Sequence, residues 1–131
     1  MSKFKVERIG NYRGVLFFIC YLDYGVPEEQ KAMFPMLPTG HYTAYINVDK
    51  PKVELNDFGE TVDGAPYFEL DVPFGINFYS KNGHSQIEGT QYMGLIGWDY
   101  AHMDMDNVTE NEVFDDVKTA IDQYLDKYKE V

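Results

Sequence analysis

Residues 109–128 constrain this chain more than any other stretch. Val113, Phe114, Val117, Ala120, Ile121, Tyr124, Leu125 and Tyr128 recur at three- and four-residue intervals, which makes one apolar stripe along a helix. Thr109-Glu110-Asn111-Glu112 has the form of a capping box. Its Thr hydroxyl accepts from a free backbone N–H, and its Glu returns to the N–H of the cap residue. Asp115 and Asp116 near the start, with Lys127 and Lys129 near the end, suit the helix dipole. A stripe of this width must lie on another layer, and the preceding residues read as the strands of that layer.

Lys3 to Ile9 alternate, with Phe4 and Val6 on one face, and predict a half-buried strand. Gly10-Asn11 punctuates it and Gly14 is a second marker. Residues 13–22 form an apolar run rich in aromatic and β-branched side chains, a central strand pairing with the first as an antiparallel hairpin. Pro27, Pro35 and Pro38 interrupt residues 23–40, leaving room for one or two helical turns over 28–33 with Pro27 at their first position. Residues 41–48 alternate as a third strand. Residues 49–66 read as an acidic loop. Strand-like segments follow at 67–72 and 76–79, with Pro73 and Gly75 between them, and 91–98 is the last strand. The pattern predicts a single α+β domain over 1–131: an antiparallel sheet of five to six strands with one long C-terminal helix packed across it.

At 131 residues the chain is long enough for one real core. Its aromatic fraction of 16% argues for a folded, β-rich protein and against an acidic tail. The formal net charge of −11 repels nucleic-acid backbones and anionic membranes, and it suits basic partners or cations. A lone cysteine, Cys20, sits in the apolar run and reads as a buried small hydrophobe in a reducing compartment. Met1-Ser2-Lys3-Phe4-Lys5 runs into charge and does not read as a secretory leader. No apolar stretch reaches membrane-spanning length, so a cytoplasmic protein is expected.

Chemistry-bearing side chains concentrate in Gly97-Trp98-Asp99-Tyr100-Ala101-His102-Met103-Asp104-Met105-Asp106, where the last strand leaves the sheet. Asp99 and His102 are one tight turn apart. With Asp104, and with His41 from the start of the third strand, they offer a mixed nitrogen–oxygen shell of the kind that holds Zn²⁺ or Mn²⁺. The alternative is a solvated loop whose aspartates satisfy backbone N–H groups ahead of the helix. His84 follows Asn82-Gly83 and reads as an exposed turn residue. Serine-hydrolase, thiol, phosphate-loop and dinucleotide signatures are missing from the sequence. Two acidic blocks stand out. Glu54, Asp57, Glu60, Asp63, Glu69 and Asp71 make the first. In the second, Asp104, Asp106, Glu110, Glu112, Asp115 and Asp116 follow Asp99 with no Lys or Arg between them. A single-sign field of that size attracts a basic groove, or simply keeps the surface soluble.

Three segments together resemble a family of small proteins encoded by bacteriophages and prophages. They are Tyr12-Arg13-Gly14, then Gly40-His41-Tyr42-Thr43-Ala44-Tyr45-Ile46, then Gly97-Trp98-Asp99-Tyr100-Ala101-His102-Met103-Asp104. Members carry a Gly-His-x-Cys-Gly-Tyr-Val strand, a Val-His-Gly-Gly-Leu-Thr strand and a Gly-Phe-Asp-Cys-Ala-His-x-x-Asp segment. Here Thr43 and Tyr100 replace the cysteines and Phe74 replaces the middle histidine. If the family's His and Asp positions form a metal site, the resemblance implies that this chain keeps His41, Asp99, His102 and, less closely placed, Asp104, and loses one ligand at Phe74. The resemblance implies a mobile-element origin and a counter-defence role in the host bacterial cytoplasm, for instance as an anti-CRISPR inhibitor of Cas9. Cas9-type effectors hold nucleic acid in positively charged channels that an acidic face opposes.

Three functions follow as expectations. The leading one is a non-enzymatic inhibitor that binds the basic surface of a defence nuclease, with Asp104, Asp106, Glu110, Glu112, Asp115 and Asp116 in contact and any metal mainly structural. It makes no direct contact with nucleic acid or membrane, and a homodimer is compatible with it. The second is a metal-dependent hydrolase or a binder of a nucleotide-like small molecule, with Asp99 or Asp104 as general base and His102 as ligand or acid. The third is a structural or assembly protein of a phage particle.

Overall fold

The structure, a computed structural model, describes residues 2–48, 70–73, 75–80, 82–101 and 108–127. It is an α+β fold. Five strands, β1 (Lys3–Tyr12), β2 (Val15–Asp23), β3 (Gly40–Asn47), β4 (Phe78–Ser80) and β5 (Leu95–Asp99), form one antiparallel sheet in the order β1-β2-β3-β5-β4. A short helix, α1 (Glu28–Met33), connects β2 to β3 and buries none of its residues. Pro27 is its cap, one place before the expected first position. The long helix α2 (Glu110–Lys127) lies across the sheet. Its stripe packs as the spacing predicts, with Val113, Val117, Ala120, Ile121 and Tyr124 buried against Phe17, Ile19, Ala44, Ile46 and Ile96. Each buried Val, Ile or Phe among them contributes about 1.5–3 kcal/mol relative to an exposed one. Thr109 caps α2 by accepting from the Glu112 N–H at 3.2 Å. The Glu112 carboxylate returns to the Thr109 hydroxyl, not to the backbone N–H that a full capping box uses.

The first hairpin is longer than the alternation of Lys3 to Ile9 predicts. Gly10-Asn11 stays in the strand, because Gly10 faces Phe17 and a Cβ there would lie 2.5 Å from that ring. The glycine makes room for an aromatic side chain instead of ending the strand. The turn falls at Arg13-Gly14, where φ is 53° and 87°, the double positive signature of a type I′ hairpin. A bulge at Glu7 shifts the register between Val6 and Arg8. It turns Arg8 to the α2 side, where the guanidinium meets Glu110 at 2.5 Å and lies over the Phe114 ring.

The sheet has a second covered face. Phe18, Cys20, Tyr45, Ile87 and Leu95 form a separate core there, flanked by Phe4, Leu16, Phe78 and Met93. Residues 82–94 fold over it as a closed loop. Gly83 N donates to Met93 O at 2.7 Å, and the buried Thr90 hydroxyl accepts from His84 N and donates to Ile87 O. Residues 91–94 therefore cover the sheet and do not extend the last strand, while 70–72 belong to no strand. With both faces covered, β2 reads as a continuous apolar run. The expected acidic loop at 49–66, the segment 67–69, Phe74, Tyr128 and Lys129 lie outside the described residues. Among the described residues, no helix is long and apolar enough to cross a membrane.

Candidate functional site

Strand alternation places His41, Thr43 and Tyr45 of β3 on the face away from α2, because the alternate residues Ala44 and Ile46 pack toward the helix. Thr43 pairs with Asp99 and Tyr45 with Gly97 across the β3–β5 ladder. These residues open a cavity of about 350 Å³, lined by His41, Thr43, Tyr45 and Asp99. Asn77, Phe78 and Trp98 complete its wall. Two residues that the sequence singled out, His41 and Asp99, thus share one cavity although 58 positions separate them.

His41, Asn77 and Asp99 of this cavity are each held by a neighbour. Asn77 Nδ2 donates to Asp99 Oδ2 at 2.7 Å, and the Ala101 N–H donates to Asp99 Oδ1 at 3.1 Å. His41 Nδ1 and the Tyr24 hydroxyl are 2.5 Å apart. Burial lowers the His41 pKa and the Asp99 charge only partly opposes it, so the imidazole is neutral at neutral pH. The Thr43 hydroxyl oxygen is buried and finds no hydrogen-bond partner of ordinary geometry among the described residues. An unmet buried polar group costs about 1–3 kcal/mol. Burial pushes the Cys20 thiol and the Tyr45 hydroxyl up to about 12, and the Thr43 hydroxyl pulls both slightly back. Cys20 is therefore an inert core thiol. Gly97 shapes the floor: a Cβ there would sit 2.4 Å from the Tyr45 ring and 2.6 Å from Ala44 O, so only glycine lets the ring lie across β5.

The other candidate residues divide. His102, Asp104 and Asp106 lie outside the described residues. Among the described residues, no group of three or more His, Cys, Asp or Glu side chains is placed to hold a metal ion. Tyr45, Phe78 and His84 add aromatic surface beside the cavity. His84 is not the exposed turn residue that Asn82-Gly83 predicts: its ring stacks on Phe4 at 4.8 Å and meets the Tyr45 ring edge-on at 5.0 Å. The reason is the closure of the 82–94 loop, which carries the ring onto the sheet. Period-two spacing of His41, Thr43 and Tyr45 signals one shared face in the sequence. Asn77 gives no such signal, since its position depends on β4 pairing with β5.

On α2, Glu110 is held by Arg8, and the Glu112 carboxylate accepts from the Thr109 hydroxyl. Lys118 approaches Asp115 at 3.3 Å, while Asp116 turns inward and accepts from the Tyr100 hydroxyl at 2.6 Å. Glu112 and Asp115 remain exposed, and Asp122 and Asp126 extend their row toward the C-terminus. Asp122 also receives Arg13 at 2.7 Å. Comparison with protein-family models, with curated proteins and with solved structures gives no significant match to the chain.

Proposed function

We propose that this chain is a non-enzymatic binding protein whose α2 surface occupies a basic, nucleic-acid-binding surface of a defence nuclease of the Cas9 type. The observation that supports the reading is the row Glu112, Asp115, Asp122 and Asp126. At 100° per residue these four fall within one face of α2 and extend over about 21 Å. The helix as a whole carries six carboxylates against two lysines. Such a row complements a groove that ordinarily tracks a phosphate backbone, and the net charge of −11 steers it there.

The test is inhibition of DNA cleavage by purified Cas9, measured against protein concentration at several salt concentrations. The reading requires stoichiometric inhibition that weakens steeply with ionic strength. Cleavage unaffected at low salt would exclude this partner. Native mass spectrometry before and after chelation decides separately whether an ion is held by His41, Asp99, His102 and Asp104. The α2 interaction does not depend on one.

A further inference from the structure

We propose that the cavity on the sheet face opposite α2 is a socket for a planar organic cation of the guanidinium class. This inference is independent of the α2 reading. Three features of the cavity point to a ligand. His41 is held by Tyr24, and Asp99 is held by both Asn77 and the Ala101 N–H, so the polar groups are oriented before anything binds. The Thr43 hydroxyl lines the same space, in a residue only 7% exposed, and has no hydrogen-bond partner of ordinary geometry among the described residues beyond its weak approach to Cys20 and Tyr45. A ligand that hydrogen-bonds there satisfies a group the fold leaves unmet. Around these groups the walls are aromatic, with Tyr45 and Phe78 set edge to face at 5.1 Å.

Charge and shape select the class. A carboxylate beside aromatic faces favours a cation, through ion pairing and through the ring quadrupoles. The overall charge of −11 disfavours a phosphate or carboxylate ligand. A hydrated metal ion gains little from Tyr45 and Phe78, and only His41 and Asp99 of the described lining are strong ligating groups. Guanidinium fits better than ammonium because its flat, weakly hydrated face lies against rings while its forked N–H groups reach carboxylate and hydroxyl together. About 350 Å³ is near the lower end for ligand pockets, the scale of an arginine side chain and not of a nucleotide. That chemistry has two sources, a free guanidino compound or an arginine of another protein.

Titration of the full chain with n-butylguanidinium, n-butylammonium and a capped arginine-containing peptide tests the socket. Isothermal titration calorimetry reports occupancy directly, because the only tryptophan, Trp98, turns its indole to the α2 side of the sheet. Saturable binding of n-butylguanidinium at least about tenfold tighter than n-butylammonium is expected. Asp99→Asn should weaken it by about tenfold or more, and Thr43→Val by several-fold, with both variants checked for an unchanged circular dichroism spectrum. Saturation by the small cation marks a free guanidino compound as sufficient. Saturation by the peptide alone, equally sensitive to Asp99→Asn, marks an arginine side chain, and either result supports the socket. Lack of saturation by both guanidinium probes, equal binding of the ammonium probe, or full retention in Asp99→Asn would overturn it.

Discussion

The Tyr100 hydroxyl donates to Asp116 Oδ2 at 2.6 Å while accepting from Trp98 Nε1 at 2.9 Å. Both aromatic residues are almost fully buried. The bond ties the chain just after β5 to α2, and it gives the indole N–H its partner. Two residues within the chemistry-rich segment are therefore joined to a carboxylate that the sequence places on a partner-facing surface.

Tyr100→Phe removes the acceptor for Trp98 Nε1 and leaves that N–H buried without its partner. The variant should lose about 2–3 kcal/mol of unfolding free energy. Urea denaturation followed by Trp98 fluorescence measures the loss, because this is the only tryptophan.

Asp116 gives the same bond a pH dependence. Burial raises its pKa above the ordinary 3.8, and the hydrogen bond from Tyr100 only partly offsets this. A carboxyl with a raised folded-state pKa contributes its stability at low pH and loses it as pH rises through the folded value. Ionised Asp116 is thus a net cost at neutral pH. Asp116→Asn keeps an acceptor for Tyr100, so its stability relative to the parent should be higher at pH 7 than at pH 4. Paired denaturation curves at the two pH values check the sign.

How much of this was legible in the residues depends on the range of the interaction. The α2 stripe from Val113 to Tyr124 is a local pattern, and the helix buries those residues. The alternation from His41 to Val48 correctly sets one face of β3 against the other. Gly10 reads as punctuation because its reason for being glycine, the Phe17 ring, sits on the partner strand. Tyr92-Met93 reads as strand because the bond from Gly83 N to Met93 O, which closes the covering loop, is not visible in local spacing. At the site, His41 and Asp99 stand out by chemistry, whereas Asn77 reaches Asp99 only through the β4–β5 pairing.

His84 supplies a second pH effect, of opposite sign. Burial lowers its pKa below the ordinary 6.5, and its Nδ1 accepts from the Gln86 N–H at 3.0 Å, an arrangement that needs the neutral ring. A depressed folded-state pKa contributes stability above the unfolded value and loses it as pH falls toward the folded one. His41 is shifted the same way. Stability should therefore drop as pH falls below about 6.5, and His84→Gln should shallow that slope while lowering stability at pH 7 through lost ring stacking. Unfolding free energies over a pH series measure both.

Gly97→Ala tests the floor of the cavity. The added Cβ meets the Tyr45 ring and the Ala44 carbonyl well inside contact distance, and the carbonyl belongs to the centre of the sheet. Overpacking of this kind costs about 1–3 kcal/mol, and the backbone contact places Gly97→Ala at the upper end. The Tyr45 ring must move, so any ligand of the cavity should be lost with it. Thermal unfolding measures the cost, and calorimetric titration with n-butylguanidinium the loss.

Charge reversal on α2 separates carboxylates that hold the fold from those offered to a partner. Glu110 meets Arg8, which also lies over Phe114, so Glu110→Lys sets two cations against one another at the helix start and should destabilise by about 1 kcal/mol. Asp115 is 73% exposed and, among the described residues, pairs with Lys118 one turn on, an arrangement that contributes a few tenths of a kcal/mol at most. Asp115→Lys combined with Asp126→Lys should leave unfolding almost unchanged. If the α2 row engages a basic nuclease surface, the double reversal should slow association and flatten its salt dependence, since exposed charges act mainly on the encounter rate. Association rates by surface plasmon resonance at low and physiological salt, compared between the parent and the double variant, read the effect. Unchanged rates in a correctly folded double variant would remove α2 from the interface.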